Sequence, residues 1–312
     1  MKQRLTYLLS RTPLHVTAGN VIGPLDYPTQ RERHTTLPVI PGAVVRAGFA
    51  SFWTTYISTD AGPDAGPRLA RSPDGLWLFG ANDPVNPVPG VVQFSEAKLL
   101  AFPVRSARAG FGWITCPLIL KRFARDGGVR GMKEGALDPE SLPVFSLRDD
   151  QAVLSSALLA IGDRVVLEEY TLYRARGEGG KEMAFPAKLT AELAQIMPDD
   201  PVWGEAAQRL VLVSDSLMCF LCQCACEVVP VDRDTRPVDT PAYQENVPAE
   251  TLFYSVLNCF EEREQSRPKA RTESPLQVFQ EKTAENGNMV QLGADAGAGL
   301  GYCAVQLREP VV

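Results

Sequence analysis

A chain of 312 residues, 45% of them hydrophobic, with a net charge of −6, can bury one large core or two ordinary ones. Its longest apolar stretches, such as Leu210 to Val213, fall far short of a bilayer span, and the start MKQRLTYLLSRTP lacks a signal-peptide apolar region, so membrane-spanning and secreted classes are not expected. Seven cysteines, four of them crowded between Cys219 and Cys226, do not space like a disulfide framework, and a reducing cytoplasm is the expected compartment.

Arg4 to Ser10 alternates as a strand does, and Thr12-Pro13 breaks it. A loop rich in Gly, Pro and charge runs from Thr17 to Pro41. Val45, Phe49, Phe52 or Trp53, and Tyr56 then recur at helical spacing, which predicts an amphipathic helix over 43–57. Residues 58–90 are dense in Gly, Pro, Asp and Asn and read as an irregular insertion. Residues 91–120 read as extended, with a Gly110–Trp113 hinge before a helix near Pro117–Phe123. A polar, basic excursion spans about 125–143, and 163–174 is strand-like. Val211–Val213 reads as a strand, after which Ser214 or Asp215 can cap a helix running to about Val228. Residues 230–248, interrupted by prolines, read as a protruding hairpin. Ala249 to Glu262 resumes the core, and a glycine run at 293–301 leads into a strand from Tyr302 to Leu307. Strands and helices intermix without the alternation of a doubly wound sheet, so one α+β domain with long insertions is expected over 1–312.

A net negative charge argues against nucleic acid, because phosphate binding rests on lysine and arginine. The charge is segregated, however. Residues 1–50 hold six basic residues against two acidic ones, and 101–135 hold seven against two, whereas 199–250 hold three against ten. A basic face for RNA and an acidic face for a neighbouring copy fit this division; clustering on solvated surface fits it too.

The segment TPLHVTAGNVIGPLDYPTQRERHTTLPVIPG, residues 12–42, carries the most information. Pro13, Leu14, His15 and Gly19, then Asp26, Pro28, Gln30, Arg31, Glu32, Thr35, Leu37, Pro38, Ile40, Pro41 and Gly42, make a pattern that resembles the first motif of the RAMP superfamily. It is most similar to that of the backbone subunits of type III-B CRISPR (Cmr) effector complexes. The resemblance continues through Pro103–Phe123 and Glu245–Ser255, and weakens at 58–90 and 176–208. It implies a ferredoxin-like, RRM-related palm with a thumb hairpin at about 230–248. It also implies copies stacked along a guide crRNA, other CRISPR effector subunits as partners, and cleavage of target RNA beside each base that a thumb displaces.

The chemistry of the residues agrees. Cleavage of RNA through its own 2′-hydroxyl needs a group to orient or deprotonate that hydroxyl, often with a divalent ion such as Mg or Mn, and cations for the phosphorane charge. Asp26 aligns with the family's catalytic aspartate and is expected to act as base or metal ligand; an Asp capping the turn before Tyr27-Pro28 is the alternative. His15 matches a position near the cleavage centre, where it would contact phosphate or act as acid, or else is a strand-end histidine bonded to backbone. Tyr243 and Glu245, in AYQEN, match a patch beside the cut, although Ala242 and Gln244 depart from its pattern. Hairpin packing is the other reading of both. Arg46 stands where the family shows Lys, and a guanidinium does not reproduce an ammonium's geometry. With Arg31, Arg33 and Arg105 it is expected to hold RNA.

The run LGADAGAGLGY precedes a strand instead of opening a helix, which excludes a dinucleotide fingerprint and leaves a nucleotide-using metabolic enzyme as a remote alternative. It resembles the RAMP glycine-rich loop, with Gly293, Gly299 and Gly301 expected to approach RNA phosphate and Leu300 in place of the usual basic residue. On a helix, Cys219 and Cys226 stand about 10 Å apart along the axis, too far to share one tetrahedral zinc with the cysteines between them. Buried cysteines acting as small hydrophobes are expected there. The same fold assembling on RNA without cutting is the nearest rival function.

Overall fold

The computed structural model describes residues 1–17, 25–57, 68–81, 87–128, 147–231, 242–260, 268 and 271–311. In chain order the first half runs β1 (Lys2–Ser10), β2 (Val39–Ile40), α1 (Gly42–Ala50), β3 (Thr54–Ile57), β4 (Arg68–Arg71), α2 (Pro73–Phe79), β5 (Gly80–Ala81), β6 (Val88–Pro89), β7 (Val92–Phe94), β8 (Ala97–Ser106), β9 (Gly110–Thr115) and α3 (Pro117–Arg125). There follow β10 (Gln151–Leu154), β11 (Arg164–Leu167), β12 (Tyr170–Arg174), α4 (Ala187–Ala194), α5 (Ala206–Arg209), β13 (Leu210–Leu212), α6 (Asp215–Cys224), β14 (Glu227–Val231), β15 (Ala242–Asn246), β16 (Leu252–Cys259), α7 (Pro275–Glu285), β17 (Met289–Gln291) and β18 (Tyr302–Arg308).

Among the described residues one mixed sheet dominates, in the order β11-β12-β10-β13-β9-β8-β16-β1-β18-β17. Third from one end of that order, β1 runs antiparallel to β16 from Lys2↔Cys259 to Leu9↔Leu252 and to β18 from Leu5↔Arg308 to Ser10↔Cys303. Six consecutive β1 residues, Leu5 to Ser10, are buried, so the strand is covered on both faces and its apolar positions need not alternate. Helices α1 and α7 meet over the sheet through Phe279, whose ring lies 5.0 Å from that of Phe49 and within 6.5 Å of Trp53, Phe79 and Phe94. A second aromatic centre joins the two ends of the sheet's middle: Trp113 on β9 packs edge-on against Trp203 at 4.8 Å and donates its ring N–H to the Glu250 carbonyl at 2.7 Å.

Three local expectations are corrected. The helix predicted over 43–57 ends at Ala50; a 3-10 turn covers Ser51–Trp53, and Thr54 to Ile57 pair with Arg68 to Arg71. The β-branched run Thr54-Thr55 leaves the helix for the same reason it favours strands. The insertion at 58–90 is not irregular throughout: Ser72 caps α2 by accepting from the Gly75 N–H at 3.2 Å, and Trp77, Leu78 and Phe79 enter the core. The helix opened by Ser214, whose hydroxyl accepts from the Leu217 N–H at 3.1 Å, stops at Cys224 instead of reaching Val228, because Glu227–Val231 is claimed by pairing with β15. Of the basic excursion at 125–143, residues 129–143 lie outside the described residues.

Candidate RNA-cleavage site

The site is assembled by the loop after β1 folding onto β15. Leu14 and Val247 exchange both backbone hydrogen bonds at 2.8 and 2.9 Å. Twelve residues after Leu14, the N–H groups of Asp26 and Tyr27 both donate to the Tyr243 carbonyl at 3.1 Å, and the Glu245 N–H donates to the Tyr27 carbonyl at 3.0 Å. The loop thereby pairs with β15 and with Val247 just beyond it, which brings His15 and Asp26 of the loop beside Tyr243 and Glu245 of the strand.

Their environments differ sharply. Asp26 is half-buried, and its Oδ2 accepts from the Tyr243 N–H at 2.9 Å, so carboxylate and backbone lock in a reciprocal pair. Tyr243 turns its ring outward, 43% exposed, in reach of a stacking partner. His15 is 1% exposed, with Nδ1 3.0 Å from the Glu245 carbonyl. This placement matches the second of the two expected readings, the histidine bonded to backbone. Glu245, 6% exposed, gives Oε1 to Arg31 at 2.5 Å and Oε2 to the Thr29 N–H at 2.9 Å. A carboxylate so engaged anchors its strand.

The expected RNA-binding arginines divide in the same way. The two terminal nitrogens of Arg31 serve the Thr36 carbonyl at 2.9 Å, the Cys222 carbonyl at 3.1 Å, Cys226 Sγ at 3.2 Å and Glu245, so its donors are taken up inside the protein. Arg105 is exposed but held by Glu168 at 2.6 Å and Glu169 at 2.9 Å, so its charge is already answered. Arg46 is half-buried and donates to the Phe79 carbonyl at the end of α2, on the wall of a cleft of about 820 Å³ that Gly42, Val92 and Phe94 also line. Arg33 is exposed, and among the described residues no partner holds it.

The glycine loop is pressed against the same region. The Ala294 N–H donates to the His15 carbonyl and the Gly301 N–H to that of Pro13, both at 2.9 Å. Gly293, at φ +82°, would place a Cβ 2.2 Å from the His15 carbonyl oxygen, and Gly301, at φ +80°, would place one 2.0 Å from that of Leu292. At these two positions the close approach is to the protein's own backbone. Gly299, at φ +83°, would meet nothing within 4 Å. Gly293→Ala is expected to lose at least about 2 kcal/mol of stability and Gly299→Ala only about 1 kcal/mol, since both meet the left-handed penalty and the first adds a backbone clash. Urea midpoints of the two variants check this; equal midpoints would contradict it.

Where a protruding hairpin is expected at about 230–248, β14 and β15 pair antiparallel from Glu227↔Asn246 to Val231↔Ala242, and residues 232–241 between them lie outside the described residues. Its second leg departs from expectation: Ala242, Gln244, Glu245 and Asn246 are buried against the loop, so this leg is floor to the site. Gly19 also lies outside the described residues.

Sequence reasoning passed over Glu32 and Arg122. Arg122 on α3 donates to both Glu32 oxygens at 2.8 and 3.0 Å and has Nη2 2.9 Å from His34 Nε2, while Thr35 Oγ1 donates to Glu32 at 2.5 Å. Burial would raise the Glu32 carboxyl, but Thr35 and Arg122 outweigh it, and the group ends below the usual carboxylate range. A depressed carboxyl stabilises the fold above its unfolded value near 4.3 and loses that contribution as pH falls through its folded value. Glu32→Gln should therefore flatten the acid side of a stability-against-pH curve while leaving its alkaline side in shape, and an unaltered acid side would refute the pairing's role.

All seven cysteines are free thiols, and burial pushes Cys226 and Cys303 up to about 12. Of the four crowded cysteines only Cys222 is buried; Cys219 and Cys226 are half-buried and Cys224 is exposed, so the expected burial holds only in part. Among the described residues no three His, Cys, Asp or Glu side chains gather as metal ligands. Asp26 and Glu245 are the carboxylates brought together here, and Glu245 is already engaged by Arg31 and the Thr29 N–H. No helix among the described residues is long and apolar enough to cross a membrane.

The fold defines the class. It is the mixed α+β fold of solved Cmr4 chains: the crystal structure of oligomeric Cmr4 from Pyrococcus furiosus matches with a TM-score of 0.63 at 23% identity, covering 99% of this chain and 98% of that one. The cryo-electron microscopy structure of the type III-B Cmr-beta complex bound to cognate target RNA contains a chain that matches with a TM-score of 0.65 at 16% identity over 98% of this chain and 97% of that one. No family model matches the sequence. In sequence the chain is a full-length homologue of the CRISPR system Cmr endoribonuclease Cmr4 of Pyrococcus furiosus, 26% identical over 315 aligned positions that span 99% of this chain and 97% of the relative. The resemblance drawn from residues 12–42 thus extends over the whole length.

Proposed function

We propose that this protein is the repeating backbone subunit of a type III-B CRISPR ribonucleoprotein, which holds guide crRNA, assembles with further copies of itself and other effector subunits in the cytoplasm, and cuts complementary target RNA at regular intervals. The observation that carries this reading is the convergence of Asp26 with an exposed Tyr243 on one surface, in a full-length homologue of a Cmr endoribonuclease. The order β18-β1-β16-β8, with α1 after β1 and α7 after β16, supports the ferredoxin-like, RRM-related palm. The β14–β15 pair supports a thumb rising from it.

In this reading the 2′-hydroxyl of the target attacks its own phosphate, the O2′–P bond forms, and the P–O5′ bond breaks. Asp26 orients that hydroxyl or takes its proton, and Tyr243 stacks on the neighbouring base. Arg33 offers a cation to the phosphate, and Arg46 with Gly299 contacts the guide. No step runs through a resident metal; a transient divalent ion would draw most of its ligands from RNA and water, and cutting with and without chelator tests that dependence.

The complex reconstituted with guide should convert end-labelled target to a ladder of evenly spaced products. Tight target binding with no cutting would favour the scaffold function, and no copurifying RNA would remove both.

A further inference from the structure

We infer that Arg31 and Glu245 form a positioning pair that sets where Asp26 stands relative to Tyr243, so that Arg31 governs the cut without touching RNA. The inference rests on the cleavage reading given above.

The pair sits where four stretches of chain cross. Arg31 lies five positions after Asp26 on the loop, and Glu245 two positions after Tyr243 on β15. Through one guanidinium the loop turn at Thr36, the last turn of α6 at Cys222, the residue Cys226 that leads into β14, and β15 itself are tied together. Cys222 supplies a carbonyl that the end of a helix leaves without an internal partner, where a cation is also favoured by the helix dipole. Cys226, a neutral thiol at working pH, accepts from Arg31 and donates to the Cys222 carbonyl at 3.3 Å. Glu245 then closes the circuit back to the loop through the Thr29 N–H.

The arrangement is enclosed, with the Arg31 and Glu245 side chains 17% and 7% exposed. An ion pair taken out of water returns little net stability, since desolvation consumes most of the attraction, yet it tolerates few alternative geometries. What it does specify is register. The loop meets β15 through only a few backbone bonds around Tyr27 and Tyr243, and a slip there would carry the Asp26 carboxylate away from the strand that bears Tyr243. Lysine cannot substitute, because an ammonium has no planar fork to reach acceptors on four sides. Sequence alone conceals the pair: its members are 214 positions apart, and each reads singly as a charged surface or catalytic residue.

The test compares wild type, Arg31→Met, Arg31→Lys, Glu245→Gln and the Arg31→Met/Glu245→Gln double variant, with Asp26→Asn as the uncut control. Single-turnover cutting and target affinity are measured in the assembled complex, and amide exchange in the protein alone. Arg31→Met is expected to cut about a hundredfold slower, the loss typical of a displaced reacting group, with affinity within about twofold of wild type. Arg31→Lys should recover little of that rate, and the double variant should be no slower than the slower single one. Peptides holding Asp26–Tyr27 and Tyr243–Glu245 should exchange at least about tenfold faster in Arg31→Met, with β1 unchanged. Wild-type cutting by Arg31→Met, a loss of affinity that matches the loss of rate, or unaltered exchange at those two peptides would each overturn the inference. If wild type itself does not cut, the cleavage reading fails separately, and the exchange measurement alone decides whether the pair positions the loop.

Discussion

Asp26→Asn is expected to lower target cutting by about 10²–10⁴-fold, the usual range for removing a positioned proton acceptor. Guide retention and target affinity should stay near wild type. The substitution isolates the chemistry because an amide oxygen still accepts from the Tyr243 N–H that Oδ2 holds at 2.9 Å, so the loop keeps its seat on β15. Removing a negative charge from a surface that meets phosphate also relieves repulsion, which makes a loss of affinity the wrong sign for this residue. The measurement is a single-turnover time course beside a binding isotherm. A variant that cuts like wild type, or that fails only because it no longer binds, would remove Asp26 from the chemistry.

The second large effect concerns the fold. Phe279 on α7 is fully buried and touches rings contributed by α1, the turn after it, α2 and β7, so it is the common neighbour of the elements that cover the central strands. Phe279→Ala should cost about 3–5 kcal/mol, combining lost transfer energy with a cavity that four surrounding rings cannot all collapse into. For a chain of this size that lowers the melting temperature by roughly 10 °C. Calorimetry of the isolated subunit checks it, and a drop of only a degree or two would show that the helices repack easily over the sheet.

What could be read in the sequence follows from which interactions are local. The strand at Arg4–Ser10, the cap at Ser214 and the strand beginning at Tyr302 were legible because side-chain spacing and capping act over a few residues. Two helices were read too long for one reason: apolar spacing continued past Ala50 and Cys224, while the β-branched runs Thr54-Thr55 and Val228-Val229 already favoured strands, and cross-strand pairing decided the outcome. The grouping of His15, Asp26, Tyr243 and Glu245 was legible only through resemblance, since no local rule joins positions more than two hundred residues apart. Within that group the division of labour was hidden. Nothing in RERHTTLP tells that Arg31 turns inward while Arg33 stays in water, or that Glu168 and Glu169 will neutralise Arg105. Charge on a residue fixes its cost when buried, and only the folded neighbours determine whether that cost is met.

The placement of β1 between β16 and β18 in the sheet has a consequence for how the protein is made. This strand has both of its hydrogen-bonding edges reserved for β16 and β18, the earlier of which begins some 240 residues downstream. At about 5–20 residues per second, Leu5 to Leu9 must wait roughly 10–50 s with neither neighbour synthesised. For that interval the nascent chain carries an apolar strand with two open edges, the feature that most invites pairing with a foreign strand. Until synthesis reaches Tyr302–Arg308, β1 lacks the second of its two sheet partners, so the pace of translation bears on how this subunit folds.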